Sequence, residues 1–193
     1  RGLGDVYKRQ HHRCMVAEVM GRHVGWIALH SGMAAGAHAI LIPEVRTPME
    51  QVAEWVKQVH DRGRSPLVVV AEGFIPEGHD DPLSEAGVED SGRPRLGGIG
   101  EWVTREIEAM TGVETRNTVL GHIQRGGAPT ATDRVLSTRF GMGAVDLAAQ
   151  RRWGQMVAAN GTDIISIPMS AALKGLKEVP VARYDEAKVL FGR

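Results

Sequence analysis

The strongest constraint on the fold is an alternation of short runs typical of strands with longer segments of helical spacing. Strands are predicted at Cys14–Met20, Ala37–Pro43, Pro66–Ala71 and Glu114–Leu120. Helices are predicted at Val24–Ala35, from Thr47 onward, at Ile99–Met110 and at Val135–Ala149. Strands that alternate with helices of about ten or more residues form parallel βαβ units. The sequence therefore predicts an α/β fold with a parallel sheet and helices on both faces.

Local signals add detail to this plan. Thr47, followed by Pro48, is the predicted N-cap of the second helix. Asn160-Gly161 lies between two short apolar runs, Met156–Ala159 and Asp163–Pro168, and predicts a hairpin there. Residues 74–96 are polar and rich in glycine and proline, so we expect an exposed loop. The segment from Pro168 to the end of the chain predicts no element.

The first ten residues differ from the rest of the chain. Residues 1–10 carry several charges and show no structural period. We expect either a flexible terminus or sequence foreign to the protein, and we leave them out of the fold prediction.

Composition excludes several classes of partner. The chain of 193 residues carries 23 basic and 23 acidic residues, so no overall field attracts nucleic acid or a membrane surface. No apolar run is long enough to cross a bilayer. Cys14 is the only cysteine, which excludes an internal disulfide and fits a reducing compartment. We expect a cytoplasmic protein.

Three segments that carry polar groups fall at the ends of predicted strands. These are Met20-Gly21-Arg22, Glu72-Gly73 and Gly121-His122. In parallel α/β sheets, ligands bind beyond the carboxyl ends of the strands. The three segments are therefore expected to meet at one edge of the sheet and to form a site there.

The residue types at these strand ends favour an anion with hydroxyl groups. Arg125 offers a planar fork of donors suited to phosphate, and His122 adds a donor that can become cationic. Arg22 precedes a predicted helix whose first amides favour anions. Glu72 would be repelled by phosphate and suits hydroxyl donors. A single arginine is most often an ordinary surface residue, so none of these residues is decisive by itself. Their shared location predicts an α/β domain with an anion site, and several arginines with one acceptor suit a phosphorylated polyol.

Motifs for several other chemistries are absent from the sequence. There is no G-x-x-x-x-G-K-[S/T] phosphate loop and no G-x-G-x-x-G after a strand. The nucleophile elbow G-x-S-x-G is absent. The histidines, which include His11-His12, form no zinc-ligand spacing with cysteine or carboxylates, so no metal ligand is predicted. The chain therefore does not have the features of a complete kinase.

The strand-end segments resemble the 6-phosphofructokinase family in sequence and in order. The resemblance rests on EVMGRHVGW, AEG, TRNTVLGHIQRGG and PTATDR, and HVGWIALHSGMAAGAHAILIPE is most similar to the actinobacterial branch. It extends from about His11 to the end of the chain. It implies that residues 11–193 are the C-terminal, substrate-binding region of such an enzyme.

The resemblance implies transfer of a phosphoryl group from ATP, with Mg2+, to O1 of fructose 6-phosphate, giving fructose 1,6-bisphosphate. Met20, Gly21 and Arg22 match the turn that lines the sugar phosphate, and Arg22 also lies near the reacting centre. Glu72 matches a carboxylate that accepts hydrogen bonds from sugar hydroxyls.

The remaining site residues implied by the resemblance come from two places. His122, Ile123, Gln124 and Arg125 match the loop that holds the 6-phosphate. Arg13 and Arg116 match arginines that reach into the neighbouring subunit's site. This implies a homo-oligomer, usually a tetramer, whose sugar site needs two subunits.

Other parts of the family pattern have no counterpart in this sequence. The nucleotide loops, the G-G-D-G-type metal-binding stretch and the T-I-D-N-D-type motif with the catalytic aspartate are missing. We therefore expect a fragment that is inactive alone and that leaves the phosphoryl donor open between ATP and pyrophosphate. A non-catalytic sugar-phosphate-binding module is the other alternative.

Regulation by the family's usual effectors is also open. The bacterial effector site has a carboxylate near the position of His38, and a histidine is a poor magnesium ligand. Arg62 and Arg64 are candidates for an effector phosphate or are ordinary surface arginines.

Overall fold

The computed structural model describes residues 12–80, 82 and 97–193. In chain order, the elements of these residues are β1 Cys14–Val19, α1 Trp26–Ala35, β2 Ala39–Leu41, α2 Met49–Asp61, β3 Leu67–Ala71, α3 Ile99–Thr111, β4 Thr115–Val119, a 3-10 helix Gly121–Arg125, α4 Ala131–Ala149, β5 Gln155–Asn160, β6 Asp163–Pro168, α5 Met169–Ala172 and α6 Val181–Lys188. Most of the predicted loop 74–96 lies outside the described residues, as do residues 1–10.

The chain forms two compact units. The first comprises the described residues up to Gln124 together with Glu178–Arg193, and the second comprises Arg125–Lys177. No helix in the described ranges combines the length and the apolar composition needed to cross a membrane.

The first unit is built on a parallel sheet of four strands in the order β2-β3-β1-β4. In β1, Val16 is paired with Val68 of β3 on one side and with Asn117 of β4 on the other. Ala39 of β2 is also paired with Val68. The predicted parallel sheet is confirmed, and each of its strands lies within a predicted strand segment.

Helices cover both faces of this sheet, as predicted. Helices α2 and α3 pack on one face, through a cluster that contains Val52, Val56, Val103 and Ile107. Helices α1 and α6 pack on the other face, through a cluster that contains Ala28, Leu29, Tyr184 and Ala187. Because both faces are covered, strands β1, β2 and β3 are mostly apolar rather than alternating. Strand β4, at the edge of the sheet, is mostly polar.

The start of helix α2 differs from the prediction. Pro48, with an extended backbone, occupies the N-cap position and no side chain caps the helix. Thr47 is 3% exposed, and its side chain forms a hydrogen bond with Tyr184. The predicted cap was wrong because Thr47 is drawn into the core, where its hydroxyl meets another buried polar group.

Helix α6 was not predicted from the sequence. Its Tyr184 is fully buried and donates a hydrogen bond to the backbone oxygen of Ile40, at 2.8 Å. Burial raises the pKa of Tyr184 to about 12. A helix of 8 residues is too short to be stable alone. Contacts with the sheet stabilise this helix, and they involve residues far away in the chain, so the local sequence does not reveal them.

The second unit consists of helix α4 and a β5-β6 hairpin. Helix α4 begins four residues earlier than predicted, because Thr130 and Asp133 form a reciprocal capping box at its start. Strands β5 and β6 are antiparallel and pair Asn160 with Asp163, and Gly161 has φ +61°. The hairpin predicted from Asn160-Gly161 is confirmed.

Candidate functional site

The strand order places three strand ends side by side. Strand β1 lies between β3 and β4, so the segments that follow these strands meet at one edge. The pairing continues one residue past the strands: Glu72 N–H donates to the Val19 oxygen at 2.9 Å, and Leu120 N–H donates to the Glu18 oxygen at 3.0 Å. We call this side of the first unit the carboxyl edge.

Hydrogen bonds and close packing join the segments after β1 and β3. Gly21 N–H donates to Oε1 of Glu72 at 3.3 Å, and Gly73 N–H donates to the Gly21 oxygen at 3.0 Å. A Cβ atom at position 73 would overlap the backbone of Arg22. Gly21 has φ +148°, where side chains are rarely accommodated. Both glycines are therefore required for this close approach, which fixes the backbone of Arg22.

The segment after β4 folds back onto the same place. The 3-10 helix brings Gln124 next to β1, where its Oε1 accepts from Met20 N–H at 3.3 Å. The Gln124 amide nitrogen donates to the Gly121 oxygen at 3.1 Å, which closes the turn. His122 is exposed, and Ile123 is 80% exposed. Gln124 thus anchors the turn and leaves His122 and Ile123 on its surface.

The structure brings together most, but not all, of the residues singled out in the sequence. Hydrogen bonds and backbone packing connect Met20, Gly21, Arg22, Glu72 and Gln124, and the 3-10 helix carries His122 and Ile123. Arg125 is the last residue of that helix, but it belongs to the second unit.

A carboxylate of the chain itself occupies the start of helix α1. Gly25 is the N-cap residue, and its N–H donates to both oxygens of Glu44 at 3.0 Å. Glu44 also accepts from Val179 N–H at 2.9 Å. Sequence reasoning treated this helix start as an anion site and missed Glu44. Only the folded chain shows that Glu44 satisfies the first amide.

Arg13 and Arg116 lie at the opposite edge of the same sheet. Arg13 precedes β1, and Arg116 is the second residue of β4. Both donate to Glu114: Arg13 Nε is 2.6 Å from Oε2, and Arg116 Nη2 is 2.6 Å from Oε1. The hydrogen bond from Arg13 lowers the pKa of the Glu114 carboxyl below its ordinary value, and Arg116 adds to this effect. We call these three residues the amino-edge cluster.

The two edges are separated by the length of a strand. Strand β1 has 6 residues, and at a rise of about 3.3 Å per residue it spans roughly 20 Å. An arginine side chain is much shorter than this distance. Arg13 therefore cannot reach the carboxyl edge of its own sheet, and Arg116 lies roughly 10 Å before the last residue of β4.

The described residues do not form a metal site. No group of three or more histidine, cysteine or acidic side chains in the described ranges is arranged to share an ion. The Glu72 carboxylate at the carboxyl edge is already bonded to the Gly21 amide. These residues do not fit Mg2+ by themselves.

Comparison with known proteins gives a consistent family. The phosphofructokinase family model matches residues 6–148. A pyrophosphate–fructose 6-phosphate 1-phosphotransferase of Amycolatopsis mediterranei is 54% identical over 182 residues, which cover 94% of this chain and 53% of that protein. An ATP-dependent 6-phosphofructokinase of Mycobacterium bovis is 48% identical over 183 residues, with the same coverage. The chain thus spans about half the length of these curated relatives.

Solved structures agree with the sequence relatives. Phosphofructokinase from Saccharomyces cerevisiae superposes with a TM-score of 0.70 at 30% identity, covering 96% of this chain and 24% of that chain. The pyrophosphate-dependent phosphofructokinase from Nitrosospira multiformis has a TM-score of 0.72 at 21% identity, covering 92% and 45%, and shows the shared fold. The chain belongs to the phosphofructokinase family.

Proposed function

We propose that the carboxyl edge binds fructose 6-phosphate, as the acceptor in phosphoryl transfer to its O1 that gives fructose 1,6-bisphosphate. The observation that carries the proposal is the convergence of three strand ends through Gly21–Glu72 and Met20–Gln124 hydrogen bonds. Catalysis of phosphoryl transfer depends mainly on positioning and charge stabilisation. The hydrogen-bonded carboxyl edge would position the sugar phosphate, and the guanidinium of Arg22, whose backbone is held by Gly21 and Gly73, would stabilise charge.

Each side chain has a role suited to its chemistry. Arg22 stabilises the charge that develops on the transferred phosphoryl group. Glu72 has one oxygen on the Gly21 amide and accepts from sugar hydroxyls, because a carboxylate has capacity for several donors. Met20 and Gly21 line the sugar phosphate.

The 6-phosphate is held by the turn after β4. His122 and Arg125 supply charged donors, and Arg125 can bind two phosphate oxygens through its planar guanidinium. Gln124 keeps this turn attached to β1 through the Met20 amide. Ile123, at the surface of the turn, completes the loop between the two charged donors.

A second subunit completes the site. Arg13 and Arg116 lie toward the amino edge of their own sheet, and the sequence resemblance implies that they act on the site of a neighbouring copy. The protein is therefore proposed to work as a homo-oligomer, with a tetramer as the form implied by the sequence resemblance.

Two phosphoryl donors are candidates. ATP with Mg2+ is the donor predicted from the sequence resemblance, and relatives named for ATP are 46–48% identical to this chain. Pyrophosphate is the second candidate, because the relatives named for it are 52–54% identical. The sugar-phosphate acceptor is common to both names.

Titration of fructose 6-phosphate into the chain tests the acceptor site. In Arg125→Ala, loss of a charge-assisted phosphate contact should weaken binding by about 1.5–3 kcal/mol, measured by calorimetry. Arg183→Ala is the matched control, since Arg183 is a surface arginine paired with Glu186 on helix α6. Equal affinities of wild type and Arg125→Ala would remove the assigned role of this loop.

Turnover assays test what the chain does alone. With fructose 6-phosphate and either ATP or pyrophosphate, we expect no fructose 1,6-bisphosphate above background, because the sequence has no catalytic aspartate motif. Product formation would show that this chain carries its own catalytic base.

The cytoplasmic location expected from the single cysteine, Cys14, stays a prediction; this thiol is buried.

A further inference from the structure

The amino-edge cluster is organised by the pairing of β1 with β4. Cys14 N–H donates to the Glu114 oxygen at 3.0 Å, and Cys14 is paired with Thr115 at the start of the ladder. This places Arg13 beside Glu114. Glu114 directly precedes β4, and Arg116, two residues later, reaches its carboxylate through Nη2. The backbone therefore brings both arginines to the same carboxylate.

Glu114 uses its two oxygens separately, one for each arginine. Oε2 accepts from Arg13 Nε and Oε1 accepts from Arg116 Nη2, both at 2.6 Å. The side chains of Arg13 and Arg116 are 37% and 61% exposed. A single carboxylate thus holds two guanidinium groups next to each other at the surface.

Within the described ranges of the chain, most donors of the two guanidinium groups remain available for a ligand. Each guanidinium carries five N–H donors, and the contacts with Glu114 involve one nitrogen of each arginine. The cluster keeps a net charge of one positive unit when both arginines and the carboxylate are ionised. Two adjacent forks with unused N–H groups suit the oxygens of one phosphate.

We propose that Glu114 is a positioning residue for sugar-phosphate binding between two copies of this chain. It holds Arg13 and Arg116 side by side, so that the pair contacts one phosphate at the carboxyl edge of a neighbouring copy. This inference rests on the proposed function, since the phosphate it serves is that of fructose 6-phosphate.

Glu114 has two opposing effects on such a phosphate. Its negative charge repels the ligand, but water screens this repulsion at an exposed site. Its hydrogen bonds restrict two long, flexible side chains before the ligand arrives, which reduces the ordering that binding requires. If Glu114 acts as a positioning residue, the orienting effect exceeds the screened repulsion, and the affinity of Glu114→Ala measures this balance.

The test compares fructose 6-phosphate affinity of the wild-type chain with Glu114→Ala and Glu114→Gln, by calorimetry and by 15N signals of the arginine Nε–H groups. We expect Glu114→Ala to weaken binding about tenfold, the scale of one charge-assisted hydrogen bond. Glu114→Gln keeps an acceptor oxygen and should recover part of the loss. Glu186→Ala, which breaks the Arg183–Glu186 pair, is the matched control and should bind as wild type.

The outcomes separate this inference from the proposed function. Unchanged or tighter binding in Glu114→Ala would overturn the positioning role alone, provided that fructose 6-phosphate still shifts the amide NMR signals of His122 and Ile123 in the wild-type chain. Absence of any binding by the wild-type chain would overturn both. Recovery in Glu114→Gln, with thermal unfolding equal in all variants, distinguishes positioning of the arginines from a general loss of stability.

Discussion

The two units of this chain differ in how their apolar residues are used. In the first unit, a parallel sheet is covered on both faces, and side chains such as Leu29, Ile107 and Tyr184 are fully buried. In the second unit, each of residues 125–177 is at least partly exposed to solvent. Its apolar side chains Val145 and Trp153 are 67% and 73% exposed.

This difference teaches where the stability of the chain lies. Burial of apolar surface is the main favourable contribution to folding, and it is concentrated in the unit that carries the carboxyl edge. The second unit depends on local signals, such as the capping box of α4 and the hairpin turn. We expect high protection from hydrogen exchange in the first unit and low protection in the second.

The largest test exchanges a leucine for alanine in a helix of each unit. Leu29 of α1 is 1% exposed, whereas Leu136 of α4 is 37% exposed. Leu29→Ala should lower the free energy of unfolding by about 3–4 kcal/mol, because it leaves a cavity. Leu136→Ala should lower it by less than about 1 kcal/mol. Urea unfolding measures both, and equal losses would contradict the difference between the units.

A glycine pair gives the next largest effect. A Cβ at Gly73 would overlap the backbone of Arg22, while a Cβ at Gly175 of the second unit meets nothing within 4 Å. Gly73→Ala should destabilise by about 2 kcal/mol through overpacking and should also weaken fructose 6-phosphate binding. Gly175→Ala is the control for both measurements. Unimpaired binding in Gly73→Ala would show that the fixed position of Arg22 is not required.

The capping box of α4 tests whether local signals hold the second unit together. Thr130 accepts from the Asp133 amide, and its own amide donates to the Asp133 carboxylate. Thr130→Ala should destabilise this helix by about 1 kcal/mol, seen as faster hydrogen exchange of α4 amides. Thr138→Ala removes only a hydroxyl bonded within the helix, to the Arg134 oxygen, and should not speed exchange. If Thr130→Ala changes nothing in α4, the cap is not what stabilises it.

The smallest effects concern pH, with one carboxylate in each unit. Hydrogen bonds from Thr130 lower the pKa of Asp133, as the hydrogen bond from Arg13 lowers that of Glu114. A carboxyl group whose pKa is lowered in the folded state stabilises the fold at pH values above its ordinary, unfolded-state pKa. This contribution is lost as pH falls through the folded-state pKa. Carboxyl NMR titration should give both midpoints below ordinary values. In Thr130→Ala, the pKa of Asp133 should rise while that of Glu114 stays unchanged; a rise in both would show that the shifts are not local.

Much of the fold followed from the sequence because its signals are local. The buried strands, the helical face of Val52, Val56 and Val59, and the turn at Asn160-Gly161 depend on spacing and on residue type. Met110 belongs to the apolar spacing that predicts helix α3 but is 44% exposed, because it lies in the last turn of the helix.

The candidate site was predictable only in part. Strand ends and residue types indicated Met20–Arg22, Glu72 and the turn after β4, since parallel strands present their carboxyl ends together. The partners of these residues were not predictable. Glu114 lies two residues from Arg116, which gave a weak signal for one contact, but its contact with Arg13 depends on strand pairing.

The sequence by itself determined which segments become strands and helices, and which chemical groups stand at the strand ends. Tertiary structure alone decided the order β2-β3-β1-β4, and this order determines which groups meet. It joins Glu72 and Gln124 to the end of β1, and it places Arg13 and Arg116 at the far edge, on Glu114. The physical reason is that spacing encodes the local period of the backbone, whereas strand neighbours are selected by burial of two faces across residues far apart in the chain.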